Sequence, residues 1–145
     1  VGRRAAEEEV DREYSASRKL EYAFTKKWKG PKWVNDNAEA TRVSNRLCEA
    51  LGVRPLKGVV KGSFKGIMRH AEAFYRQREI HVRGSGPTDG GGMLLVTLLH
   101  ELAHHVCYME GMHRGGAHGE DFLTVEQLLF DLVLENRSLV DPDFS

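Results

Sequence analysis

The sequence predicts an α+β domain in which a small, mostly antiparallel sheet packs against helices. Apolar residues recur at steps of three or four near both ends of the chain, the period of amphipathic helices. Between them, from Leu56 to Arg83, the texture changes to short segments containing Val, Phe, Ile and Tyr, punctuated by Gly58, Gly62 and Gly66. The chain has 145 residues and is 41% hydrophobic, so it can close a core without disulfide staples.

Element by element, residues 5–28 read as a helix, with Val10, Tyr14, Leu20, Phe24 and Trp28 on one stripe among many charges. Gly30-Pro31 ends it. Residues 1–34 are expected to form an N-terminal helical arm, and 35–145 the main domain. Asn35 or Asp36 caps a second helix whose apolar face is Ala40, Val43, Leu47, Ala50 and Leu51, stopped by Gly52. Two or three strands follow. The clearest is Arg78–Arg83, where Ile80 and Val82 alternate with Glu79, His81 and Arg83. Gly84 to Gly92 reads as a loop. A third helix runs from about Met93 to Glu110 and stops at Gly111. A glycine-rich connection to Gly119 leads into a fourth, from about Glu120 to Asn136, whose stripe is Phe122, Val125, Leu128, Leu129, Leu132 and Val133.

Several function classes are disfavoured by composition. Lys+Arg 21 balance Asp+Glu 21, which removes a globally basic nucleic-acid binder. No apolar run reaches the roughly 18 residues of a membrane span, and the N-terminal residues turn acidic at Glu7-Glu8-Glu9 without a signal-like apolar stretch. A cytoplasmic protein with no membrane partner is the expectation. Cys48 and Cys107 form no CxxC and are expected as buried, reduced thiols.

The chemistry concentrates at His100-Glu101-Leu102-Ala103-His104, an HExxH motif inside the third helix. Residues four apart stand one turn above each other, so His100 and His104 present two imidazoles on one face, able to grip one Zn²⁺ at about 2.0–2.1 Å. Glu101 lies about 100° further round, within reach of a water on that ion without being a ligand. Zinc lowers the pKa of bound water to about 7, and an adjacent carboxylate can take its proton. Two imidazoles and a carboxylate on a largely apolar helix would otherwise be costly.

A catalytic zinc needs a third protein ligand and an open position. His105, His113, His118, Glu110, Glu120 and Glu126 are the candidates. His105 points about 100° away from His104. His113 lies only two residues past the helix-ending glycine. His118 follows the flexible Arg114-Gly115-Gly116-Ala117 stretch, which lets the chain turn back, and is preferred over His113, Glu120 and Glu126.

His100-Glu101-Leu102-Ala103-His104, followed after thirteen residues by His118-Gly119-Glu120-Asp121-Phe122, resembles the HExxH…HGxxF pattern of SprT-like zinc metallopeptidases, a zincin group that includes the Spartan and WLM-type proteases of DNA–protein crosslink repair. The resemblance spans about Arg78 to Leu134. It implies a zincin-like minimal metallopeptidase fold, His100, His104 and His118 as ligands of one Zn²⁺, Glu101 as general base, and Phe122 packed behind the third ligand. The Cys-rich zinc ribbon of some members is absent from the sequence. Metzincin spacing would require glycine at 107 and histidine at 110, where this chain has Cys107 and Glu110. The ImmA/IrrE type also sets HExxH after a short sheet, but with a more distant third ligand.

By the same resemblance, the strand before the metal helix is an edge strand holding the substrate backbone, which assigns Ile80, His81 and Val82 to substrate binding. Tyr108, His113 or Tyr75 is a candidate stabiliser of the developing oxyanion. Trp28 and Trp33, beside Lys26, Lys27, Lys29 and Lys32, read as a hydrophobic anchor with solvated lysines in preference to a nucleic-acid surface. The function expected is hydrolysis of peptide bonds in a protein or peptide substrate. The rival reading is a catalytically silent zinc-binding scaffold, associated with nucleic acid through a basic region. Residues 42–83 hold ten Lys/Arg against three Asp/Glu, while residues 84–145 hold two against ten. Neutrality is thus a cancellation between a basic sheet segment and an acidic metal-helix segment.

Overall fold

The computed structural model describes residues 3–61, 71–82 and 91–144, and the elements are those of an α+β fold. In chain order they are α1 (Arg3–Lys27), β1 (Trp33–Asp36), α2 (Asn37–Leu51), β2 (Gly58–Lys61), β3 (Ala71–Phe74), β4 (Glu79–Val82), β5 (Gly91–Leu94), α3 (Leu95–Glu110) and α4 (Glu120–Glu135), then a 3₁₀ turn at Arg137–Leu139. Gly62, Gly66 and most of the 84–92 loop fall outside the described residues.

The helix boundaries follow local chemistry. Asp36 caps α2, its side chain accepting the Glu39 N–H at 2.8 Å. Gly52 and Gly111 close α2 and α3 in the left-handed conformation, and beyond Gly111 the Met112 N–H returns to the Cys107 carbonyl at 2.8 Å. Helix α3 begins directly from β5 without a capping side chain. Its Leu95 N–H instead donates to the Lys32 carbonyl at 2.8 Å, so the residue just before β1 satisfies the first turn of the metal-motif helix.

Two sheets result. β1 pairs antiparallel with β5, while a mixed three-stranded sheet has the order β2-β4-β3, with β2 parallel and β3 antiparallel to β4. The expected strand therefore exists, but it is not an edge. β4 is paired on both sides, and its backbone groups are committed to two ladders. It starts at Glu79, because Arg78 sits at φ 52 in the turn from β3. β3 has β4 as its one partner among the described residues, and packs against α3.

The core is continuous across these layers. Ile80 and Val59 from the sheet, Val43 and Leu47 from α2, Leu98, Leu99 and Leu102 from α3, and Phe122, Leu129 and Phe130 from α4 are all buried. Helix α1 joins the same core, with Phe24 stacked on Phe130 at a centroid distance of 4.7 Å and on Trp28 at 5.7 Å. Leu128 departs from the expected stripe and is exposed, as α4 turns its Phe122, Val125, Leu129 and Val133 face inward. Both cysteines are buried and free, with burial pushing each thiol up to about 11. No helix among the described residues is long and apolar enough to cross a membrane.

Candidate metal centre

His100 and His104, four apart on α3, point the same way, and His118 comes back from the loop before α4 to meet them. The Nε2 atoms of His104 and His118 are 3.1 Å apart, and those of His118 and His100 3.3 Å. Three nitrogens at about 2.0–2.1 Å from a tetrahedral ion would be separated by about 3.3–3.4 Å. All three ligand atoms lie within 4.8 Å of one another. The donor set, three imidazoles with their Nε2 atoms turned toward a common point, fits one divalent transition-metal ion.

The third ligand depends on a tight loop. Asp121 accepts the Arg114 backbone N–H and its Nε–H, both at 3.0 Å, tying the start of the loop to the first turn of α4. Gly119, beside the ligand, passes so close to the backbone of Gly115 that an added methyl would collide with the Gly115 carbonyl. The glycine after His118 is thus required by backbone approach. Phe122 lies behind all three ligands. Its ring centroid is 5.0 Å from that of His100, 4.3 Å from His104 and 4.9 Å from His118.

On the far side of His100, Nδ1 faces Glu126 Oε2 at 2.9 Å, Glu21 Oε1 at 2.9 Å and Ser17 Oγ at 3.2 Å. The Ser17 hydroxyl donates to Glu126 Oε1 at 2.8 Å. Acceptors at Nδ1 keep the proton there and leave the Nε2 lone pair for a metal. Burial disfavours the imidazolium of His100, but the hydrogen bonds to Glu126 and Glu21 and the charge of Glu101 outweigh it, lifting this histidine to about 10 in the metal-free chain. Burial, followed by the charges of His100 and His118, drives His104 down to about 3. Adjacent imidazoles cannot all hold protons, so charge settles on the one flanked by carboxylates.

Glu101 is buried beside His100. His105 turns away from the cluster, its Nε2 bonded to the Arg54 carbonyl at 2.7 Å. Glu126, weighed above as a third ligand, faces Nδ1 of His100 on the side away from the three converging Nε2 atoms, where it groups with Glu21 and His100. Glu120 is exposed and pairs with Arg114 at 3.4 Å, and Glu110 is exposed on α3. A cleft of 270 Å³ opens beside His104, lined by Tyr75, Met112, His113, Ala117 and Phe122 among others. Tyr108 is stacked on Tyr75 at 4.9 Å, and His113 is exposed on the cleft wall.

The substrate-strand residues do not converge on this cleft. Ile80 is fully buried in the core, and His81 contacts Glu79 at 3.0 Å and the Phe74 ring. The side chain of Val82 lies outside the described set. Trp28 is buried while Trp33 is partly exposed on β1, so the pair forms no joint aromatic face. Sequence reasoning missed Ser17 and Glu21. The available signal was two polar residues at the spacing of Phe24 and Trp28, on the packing face of α1. No protein-family model, no curated protein and no solved structure matches the chain.

Proposed function

We propose that this chain is a zinc-dependent metallopeptidase that hydrolyses peptide bonds with Glu101 as general base. The observation that carries the reading is the convergence of the three Nε2 atoms at coordination spacing beside an open cleft. Zinc held there would polarise a substrate carbonyl and make water a competent nucleophile near neutral pH. In this reading Glu101 accepts a proton from the attacking water and returns it to the departing amide nitrogen. His100 is kept in its ligating tautomer by Glu126 and Glu21. His104 and His118 complete the grip, and Phe122 backs all three rings.

Substrate alignment is reassigned from β4 to β3. β3 is the strand against α3 with a partner on one side only among the described residues, and it leads into Tyr75, whose ring centroid is 6.5 Å from that of His104. An extended peptide added to β3 runs past the cleft, with its backbone held by ladder hydrogen bonds. Tyr75 and His113 are the side chains on the cleft wall suited to the developing oxyanion.

The test is direct. Zinc-loaded protein should cleave an unstructured protein substrate, and Glu101→Gln should retain one zinc per chain while losing cleavage by at least about 100-fold, the usual scale of a general base. Full activity in that variant sinks the mechanism, and absence of stoichiometric metal in the wild type sinks the metal reading itself.

A further inference from the structure

We propose that Ser17 and Glu21 of α1 are positioning residues of the metal centre, so that the centre is complete only while α1 is docked. The inference rests on the metal reading of the three histidines. It concerns a helix lying outside the motif that supplies them.

The geometry is specific. Ser17 and Glu21 are one turn apart on α1, on the face that carries Phe24 and Trp28 into the core. Phe24 stacks on Phe130 of α4, which brings that face of α1 against the side of α3 where His100 turns its Nδ1. Glu21 Oε1 then stands 2.9 Å from Nδ1, the same distance as Glu126 Oε2. Ser17, fully buried, bridges the two helices by donating to Glu126 Oε1 at 2.8 Å while its oxygen lies 3.2 Å from Nδ1. One ring N–H is thus met by three oxygens from two helices, separated from His100 by 79 to 83 residues on one side and 26 on the other.

Such a clamp does two things. It fixes the rotation of the His100 ring about its side-chain bonds, aiming Nε2 at the point shared with His104 and His118, and its acceptors make that nitrogen a better donor. It also couples two equilibria. Whatever α1 docking adds to metal affinity, the metal adds to α1 docking by the same factor. The N-terminal helix therefore acts as a switch for the centre: a contact that lifts α1 off α4 withdraws the Ser17 and Glu21 oxygens from Nδ1.

The experiment uses the full chain. Zinc affinity is measured by competition with a chromophoric chelator for wild type, Ser17→Ala, Glu21→Gln, Glu21→Leu and the Ser17→Ala/Glu21→Leu double variant, with exposed Tyr22→Ala as a control on the same helix. Hydrogen exchange of the α1 amides is followed with and without zinc. Affinity is expected to fall about 10- to 100-fold in the double variant, with Glu21→Gln, which keeps an acceptor oxygen, losing less than Glu21→Leu. The Co²⁺-substituted absorption spectrum should change in the double variant and stay as in wild type in Tyr22→Ala. In the wild type, zinc should slow exchange across residues 17–27, and the double variant should lose that protection.

Unchanged affinity in a folded double variant overturns the proposal, as does zinc-independent exchange of α1 in the wild type, a result that needs no variant to fold. Two ions per wild-type chain overturns it too, since Glu21, His100 Nδ1 and Glu126 would then be ligands of a second metal. Failure of the metal reading itself is separately visible as wild type that binds no zinc.

Discussion

Replacing Phe122 by alanine should damage stability and metal affinity together, because one ring both fills the core and backs the ligands. Phe122 is 1% exposed. Deleting its ring leaves a void of about 100 Å³, which at about 24 cal/mol per Å³ adds about 2.4 kcal/mol to the roughly 2 kcal/mol of lost transfer free energy. The ring also borders the 270 Å³ cleft, so part of the void is open to water, and the expected loss is the lower part of the usual Phe→Ala range, about 3 kcal/mol. Urea unfolding of chelator-treated protein, followed by circular dichroism, measures this term alone. The ligand term is separate. Three imidazoles lose a common surface at centroid distances of 4.3 to 5.0 Å, and freedom regained by their rings should weaken zinc by about 10-fold, or about 1.4 kcal/mol. Zinc at a hundred times the wild-type Kd should therefore stabilise wild type by about 2.7 kcal/mol and the variant by about 1.4 kcal/mol. A variant within about 1 kcal/mol of wild type without metal, or with unchanged zinc affinity, would refute the dual role.

Two further predictions concern the loop and the pH response. Gly119→Ala should push the loop off Gly115, displace His118 and weaken zinc by more than about 10-fold while leaving helix content intact; chelator competition with circular dichroism checks both halves. His100, lifted from 6.5 to about 10 in the metal-free chain, contributes stability that is whole below pH 6.5 and drains away as pH rises toward 10, since across that window the folded state holds a proton the unfolded state has released. The urea midpoint of chelated protein should fall between pH 7 and 9, and zinc uptake at pH 8 should release about two protons, one from His100 and most of another from water on the ion, whose pKa would be about 7, read by calorimetry in buffers of different ionisation enthalpy. A midpoint that rises over that interval, with no proton release, contradicts the assignment.

Helices α2 and α4 were legible from their periodic apolar stripes, and α2 and α3 also from the glycines that stop them; Asp36 and Gly111 do what their residue types suggest. The candidate metal-binding histidines were legible from local features too: His100 and His104 lie on one helix, and the glycine run before His118 announces a chain able to turn back. What escaped depends on partners distant in sequence. The β1–β5 ladder joins Trp33-Val34-Asn35-Asp36 to Gly91-Gly92-Met93-Leu94, segments too short, polar or glycine-rich to announce strands, which form because the other is there. The alternation at Glu79–Val82 marks a half-buried strand but carries no information about neighbours, so its central place in the sheet was invisible. Ser17 and Glu21 look like ordinary polar residues until α1 and α3 meet.

The spread of the oxygens around His100 has a kinetic consequence. Ser17 is 109 residues from Glu126 and 83 from His100, so these contacts close very long loops, and such contacts form slowly because chain entropy is lost before they return anything. Chains are also made from the N-terminus, and elements fold as they become available. During synthesis α1 exists long before α4, and the HExxH turn emerges before His118 and Glu126 do. A partly made chain offers two imidazoles without the third or its carboxylate support. The three-histidine cluster with its Glu126 contact is therefore a late product of folding, assembled only after α4 has packed.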